Sequence, residues 1–181
     1  DVKKGWISYM KKNHSIKVKG ASLFSSKDIL SADDITIASV SDKRMNMYAR
    51  VTELTAGSEL KFFMSFGYDF FIGPEKYPQA FEGMQKLLYN FSVSYLNDYY
   101  AGETSSVLKK IKYLEKGIAK DKKAIRKNES KAKKSSGAES SGLEAKNKAL
   151  QNEIDMANQK IKQLNEKLEV IKQKQNNLLN S

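Results

Sequence analysis

Two apolar seams near the C-terminus constrain this chain more than any other feature. In the first, Val107, Ile111, Leu114, Ile118, Asp121 and Ile125 follow one another at steps of four and three, with Asp121 as the polar flaw. In the second, Leu143 is followed by Leu150, Ile154, Ala157, Ile161, Leu164, Leu168, Ile171, Gln175 and Leu178, with the same steps after Leu150. Apolar residues at this spacing form a narrow stripe on a helix, and the stripe is stable only when another helix covers it. Between the seams lies SSGAESSG, residues 135–142, which has no period. Two seams joined by a short flexible stretch predict an antiparallel α-helical coiled-coil hairpin over 107–181, with its loop at about 131–142. The heptads do not say whether a seam closes on its own chain or on a second copy. The returning helix is the longer of the two, so its last turns, from about Ile171, are expected to reach back alongside the residues before the hairpin.

The bulky side chains lie elsewhere. Trp6, all eight Phe and eight of the nine Tyr fall within 1–106, and Tyr113 is the sole aromatic after that. A core needs such area, so residues 1–106 are expected to form an α+β head domain. VKKGWISYMKK sets Val2, Trp6, Tyr9 and Met10 at helical spacing, weakened by Gly5. SIKVKG alternates Ile16 and Val18 with lysines, and ITIASV does the same with Ile35 and Ile37. Both read as half-buried strands. Between them SSKDILSADD reads as a polar, turn-rich connection anchored by Leu23, Phe24, Ile29 and Leu30. MNMYARVTEL and ELKFFMSFGYDFFIG alternate on either side of TAGS, which predicts a hairpin that turns Met45, Met47, Ala49 and Val51 to one face. Phe70 and Ile72 extend the second strand beyond a bulge or bend at Gly67. After GPEKYP the period becomes 3.6, with Tyr77, Phe81, Met84, Leu88, Phe91, Tyr95 and Tyr99 on the bulky face of a long helix. That helix is expected to cover an antiparallel sheet of about four or five strands and to continue through Gly102 into the hairpin.

The net charge is +11, and most of it comes from residues 109–134, which hold twelve Lys or Arg and three acids. Lys109, Lys110, Lys112, Lys116, Lys120, Lys122, Lys123, Arg126 and Lys127 all miss the seam. Long solvated stems flanking a coiled coil account for that placement. They do not account for the one-sided sign, because exposed helices ordinarily mix Glu with Lys. Lys109, Lys116, Lys120, Lys122, Lys123, Arg126, Lys127, Lys131, Lys133 and Lys134 are therefore the candidate contacts for an anion. Eleven of the twelve cations are Lys and only Tyr113 is available for stacking. Base-edge readout and single-strand stacking both need more than that, which leaves nonspecific attraction to a polyanion such as nucleic acid or an acidic envelope polymer.

Other chemistry finds little footing. There is no cysteine, so disulfides, thiolate catalysis and Cys-type zinc are excluded, and one histidine excludes a multi-His metal site. No apolar run is long enough to span a bilayer. Asp33 and Asp34, with Asp28 nearby, offer carboxylates without EF-hand spacing and read as turn residues. His14 has no nucleophile motif beside it, and Asp69 sits among rings in GYDFFIGPEKYP, where packing outweighs a small pocket. No catalytic residue, cofactor or metal site is predicted, and a small-molecule ligand is not expected.

MNMYARVTEL, ELKFFMSFG and YPQAFEGMQKLLYNFSVSYLNDYY, running into a lysine-rich heptad tail, resemble a group of uncharacterised exported proteins of Bacteroidota. The resemblance implies a signal peptide, a small α+β head, a C-terminal coiled coil and a cell-envelope location. It carries no activity and no functional residues. A chain beginning at Asp1 is in keeping with a processed, periplasmic or secreted product. The expectation is a noncatalytic interaction or scaffold protein whose hairpin engages a protein partner or a second copy, the alternative being a polyanion binder acting through 109–134.

Overall fold

The computed structural model describes residues 1–20, 29–55, 57–67 and 70–179, the last of these by its backbone alone. Leu23, Phe24, Asp28 and Asp69 lie outside the described residues. The order of elements is α1 (Val2–His14), β1 (Ile29–Ile37), β2 (Ser41–Leu54), β3 (Gly57–Ser65), α2 (Pro78–Ala132) and α3 (Ala138–Leu179). The fold is α+β. Two compact units divide it, Asp1–Leu96 and Asn97–Ser181, and α2 contributes to both. Among the described residues no helix is long and apolar enough to cross a membrane.

In the first unit α1 starts where the Asp1 carboxylate accepts the Lys4 N–H at 3.3 Å, and it stops where Ser15 takes a left-handed conformation. Its Trp6 and Met10 are fully buried. Gly5 fits the helix for a steric reason: a Cβ there would run into the ring of Tyr95. The sheet is antiparallel in the order β1-β2-β3. Met45, Met47 and Ala49 of β2, Met64 of β3, and Leu30, Ala32 and Ile37 of β1 share one buried cluster with Trp6, Met10, Met84, Leu87 and Phe91. Residues of period 2 on the strands thus meet residues of period 3.6 on α1 and α2. Trp6 is the hub, with its ring 4.9 Å from Phe91 and 5.1 Å from Phe62, both edge-on.

The sheet differs from the expected one in three places. SIKVKG buries Ile16 and Val18 as expected, yet it meets the sheet at a single bridge, where Lys19 and Ser31 exchange backbone hydrogen bonds of 2.7 and 3.1 Å. Alternation reports which side chains are buried, and it does not require a ladder. ILSADD is not a turn but the first part of β1, because Leu30 and Ala32 face Ala49 and Met47 across it. Phe70–Ile72 does not prolong β3. Gly67, with φ of 115°, lets the chain reverse, so Ile72 N–H donates to Met64 O and Phe66 N–H to Phe70 O, both at 2.9 Å. Among the described residues the sheet has three strands instead of four or five.

The second unit is the antiparallel hairpin. Val107 and Ile111 of α2 pack with Leu168 and Ile171 of α3, flanked by Tyr100, Ile161 and Leu164. Gln175 donates to Asn97 at 3.3 Å, so the end of α3 has a partner stretch on α2 upstream of Val107. Asp121 sits half-buried at its seam position, and Ile154 is fully buried. The connection occupies 133–137. Gly137, with φ of 64°, makes the turn, and Ser140, Ser141 and Gly142 are already helical.

Candidate polyanion-binding face

On α2 the cations sort by their angle around the helix. From Lys109 the steps to Lys112, Lys116, Lys120, Lys123, Lys127 and Lys131 are all three or four residues, which places these ammonium groups in one stripe opposite the seam. At 1.5 Å per residue the stripe runs for roughly 33 Å, with about one cation per turn. Lys134 follows in the turn after the helix. Every one of these side chains is exposed. Glu115, Asp121 and Glu129, the acids of this stretch, lie on other sides of the helix, so nothing anionic interrupts the stripe. Of the remaining candidates, Lys122 and Arg126 are exposed on the flank between stripe and seam, and Lys133 is exposed where the connection begins beyond them. The structure therefore divides the predicted contacts into one aligned row and a flank.

Among the described residues no acid of α3 forms an ion pair with α2. Asp155 accepts from Gln151 at 3.0 Å, Glu144 accepts from Ser140 at 3.5 Å, and Glu169 pairs with Lys172 at 2.7 Å, all within α3. Among the described residues one ion pair joins the helices, Lys167 with Glu103 at 2.9 Å, and Glu103 lies upstream of the lysine run. Among the described residues no cation from Lys109 to Lys134 lies in an ion pair. Side chains three or four residues apart on a helix have Cβ atoms about 5–6 Å apart, less than the Debye length of about 8 Å at physiological salt, so the fields of successive lysines add. Lysines four apart on one face also repel by about 0.2–0.5 kcal/mol per pair. A bound polyanion would relieve that repulsion.

Beside the stripe, Lys109, Lys110, Lys160 and Lys167 surround a groove of about 530 Å³ floored by Leu114 and Leu164. Tyr113, at 78% exposure, forms its wall. The sequence marked Tyr113 as the one aromatic of the arm but gave no sign that lysines of α3 would join it, because Lys160 and Lys167 lie far along the chain and only the hairpin register brings them close.

The other candidates have structural partners. Asp33 and Asp34 sit at an irregularity between β1 and β2, where Asp34 adopts φ of 54°. Asp33 pairs with Lys19 at 2.8 Å, a hydrogen bond and charge that raise the Lys19 pKa. Asp34 pairs with Arg44 at 3.3 Å, and its N–H donates to Asn46. His14 ends α1 against the Tyr9 ring, with its pKa lowered by burial and its Nε2 buried and unpartnered among the described residues. Phe66 and Tyr77, from the aromatic corner, meet edge-on at 4.9 Å beside a recess of about 480 Å³ that also holds Lys43 and Lys76. Among the described residues no three His, Asp or Glu side chains gather in a way that would hold a metal ion.

No protein-family model, no curated protein and no solved structure matches this chain.

Proposed function

We propose that this chain is a noncatalytic interaction protein whose helical hairpin presents a cationic stripe to a polyanion. The observation that carries the reading is the unbroken row from Lys109 to Lys131, exposed and without an ion pair among the described residues. Val107 and Ile111 bury against Leu168 and Ile171, so the seams face one another and the lysines are left on the outer surface. Recognition by a row of lysines is electrostatic and sequence-independent, which suits a phosphate or carboxylate polymer rather than a specific base sequence. The resemblance to exported Bacteroidota proteins supports an envelope location, where an acidic polymer is the fitting ligand.

The test is binding of the full chain to a mixed-sequence DNA duplex and to an anionic polysaccharide at about 50 and 200 mM salt. Affinity is expected to fall by roughly a thousandfold across that range if about six anionic groups are neutralised. Reversing Lys116, Lys120, Lys123 and Lys127 to Glu is expected to abolish binding, whereas reversing Lys122, Arg126 and Lys133 weakens it less. Equal losses from both sets, or no binding at 50 mM, would overturn the reading.

A protein partner is the second reading, favoured by the groove in which exposed Tyr113 stands over Leu114 and Leu164. Aromatic anchors of this kind dominate protein interfaces, whereas a polyanion gains little from one tyrosine. Tyr113→Ala separates the two readings: it should leave polyanion binding intact and remove a protein partner.

A further inference from the structure

The free edge of β3 suggests a second ligand, another copy of this chain. β3 pairs with β2 along its whole length, from Leu54↔Gly57 to Asn46↔Ser65. On its other side the only pairing among the described residues is at the C-terminal end, where Ser65 bridges Phe71. Among the described residues that edge is open from Gly57 to Phe63. Its polarity follows from one hydrogen bond. Met64 O accepts from Ile72 N–H at 2.9 Å, so the Met64 backbone points away from β2. Backbone groups alternate in direction along a strand, so Phe62, Leu60 and Ser58 also point their N–H and C=O outward. These are unpaired donors and acceptors on a strand edge, a template for adding another strand.

The side chains on this edge are self-complementary in one register. When Leu60 of one copy faces Leu60 of the other in an antiparallel pair, the outward backbone groups of Ser58, Leu60 and Phe62 meet their counterparts in about six hydrogen bonds. Glu59 of each copy then faces Lys61 of the other, at non-hydrogen-bonded positions where side chains come closest. The two residues already pair within one chain at 3.3 Å and are exposed, so the contact becomes an alternating cluster of four charges. Phe63 of each copy faces Gly57 of the other. Phe63 is 44% exposed, and a Cβ on Gly57 would meet nothing within 4 Å, so each ring lies across a bare stretch of backbone. Sliding by one step in either direction sets Glu59 against Glu59 or Lys61 against Lys61, and like charges directly opposite are unfavourable. The Phe71 segment closes the edge beyond Phe63, so the open stretch of one copy fills the open stretch of the other.

We infer that two copies of this chain associate through antiparallel pairing of their β3 edges, centred on Leu60. The partner is identified by the palindromic order Gly57, Glu59, Lys61, Phe63 along the outward face, which complements only itself reversed. This does not depend on the polyanion reading, although a dimer would carry two cationic hairpins and bind a polymer with higher avidity.

The experiment is sedimentation of the full chain over a concentration series at about 50 mM salt, with no polyanion present. Wild type is expected to shift from monomer to dimer. Lys61→Glu and Glu59→Lys each place like charges opposite one another twice, and each is expected to weaken the dimer by roughly tenfold or more while leaving the far-ultraviolet spectrum unchanged. The double variant Glu59→Lys with Lys61→Glu restores complementarity in the same register and is expected to restore the dimer. A wild-type chain that stays monomeric would overturn the inference. So would a dimer that either single reversal leaves intact, because association through the hairpin ignores these residues, or a double variant that fails to recover.

Discussion

Asn128 on α2 and Asn147 on α3 meet across the hairpin seam, with Nδ2 of the first 2.9 Å from Oδ1 of the second. Each is half-buried where a heptad would otherwise place an apolar side chain. A polar pair at such a position fixes register, because sliding one helix against the other leaves both amides without a partner.

The pair should therefore behave non-additively. Asn128→Leu alone strands the Asn147 amide against an apolar neighbour and is expected to destabilise the hairpin by about 1–3 kcal/mol. Asn128→Leu with Asn147→Leu is expected to recover that loss or exceed wild-type stability. Denaturant unfolding of the four chains of this cycle, followed by helical ellipticity, measures the coupling. Simple addition of the two single losses would show that the hydrogen bond does not set the register.

Two glycines of α2 should respond to alanine in opposite directions. At Gly83 a Cβ would press on the Ser39 carbonyl oxygen and lie 2.7 Å from Val40 Cα, both backbone atoms that have no rotamer to escape into. Gly83→Ala is expected to lower stability by about 1–3 kcal/mol. At Gly102 nothing lies within 4 Å of the added carbon. There the gain in helix propensity is unopposed, and Gly102→Ala should raise stability by about 0.5–1 kcal/mol. Thermal melts of both variants against wild type check the signs.

The same residues show how far the sequence could be read. The seams, the long helix and the β2–β3 hairpin were legible because apolar spacing alone encodes them, and Met45, Met47 and Ala49 turn to the core as their alternation requires. Asn128 and Asn147 were not, because a search for apolar period passes over polar seam residues, although the steps Ile125–Asn128 and Leu143–Asn147–Leu150 locate them. The role of Gly83 depends on Ser39 and Val40, which lie far away in sequence. The strand count failed at SIKVKG because burial and ladder hydrogen bonding are separate properties. Of the candidate anion contacts, exposure was legible from the seam, whereas the division into an aligned row and a flank requires the helix to run unbroken through Lys131.

Phe91 should prove the most sensitive side chain on the α2 face of the first unit. Its ring lies 4.9 Å from Trp6, 5.4 Å from Tyr9 and 5.7 Å from Tyr95, so its removal opens a void that three rigid rings cannot fill. Phe91→Ala is expected to cost about 3–5 kcal/mol. Trp6 is the only tryptophan, so its fluorescence reports this unit alone. An earlier fluorescence midpoint with an unchanged ellipticity transition for the hairpin would show the loss confined to the unit where the cavity forms.

His14 gives the first unit a defined response to acid. Burial lowers its pKa below the ordinary 6.5, and among the described residues its Nε2 has no hydrogen-bond partner. The neutral ring is thus the form that packs against Tyr9 at 5.7 Å. In the unfolded chain the ring takes up a proton near pH 6.5, while in the folded chain it does so only at lower pH. Between those two values the unfolded state holds more protons, so stability rises with pH. The contribution is fully present above pH 6.5, is lost as pH falls through the folded-state pKa, and is constant below it. Because the chain has no other histidine, this step is not masked by a second imidazole. Melting followed by Trp6 fluorescence from pH 7.5 to 5 should show a fall that His14→Gln removes. A fall that persists in the variant would assign the acid response to other groups, and a wild-type curve flat over that interval would show that His14 does not couple folding to pH. A proton titration of the His14 ring by NMR fixes the folded-state value independently of unfolding.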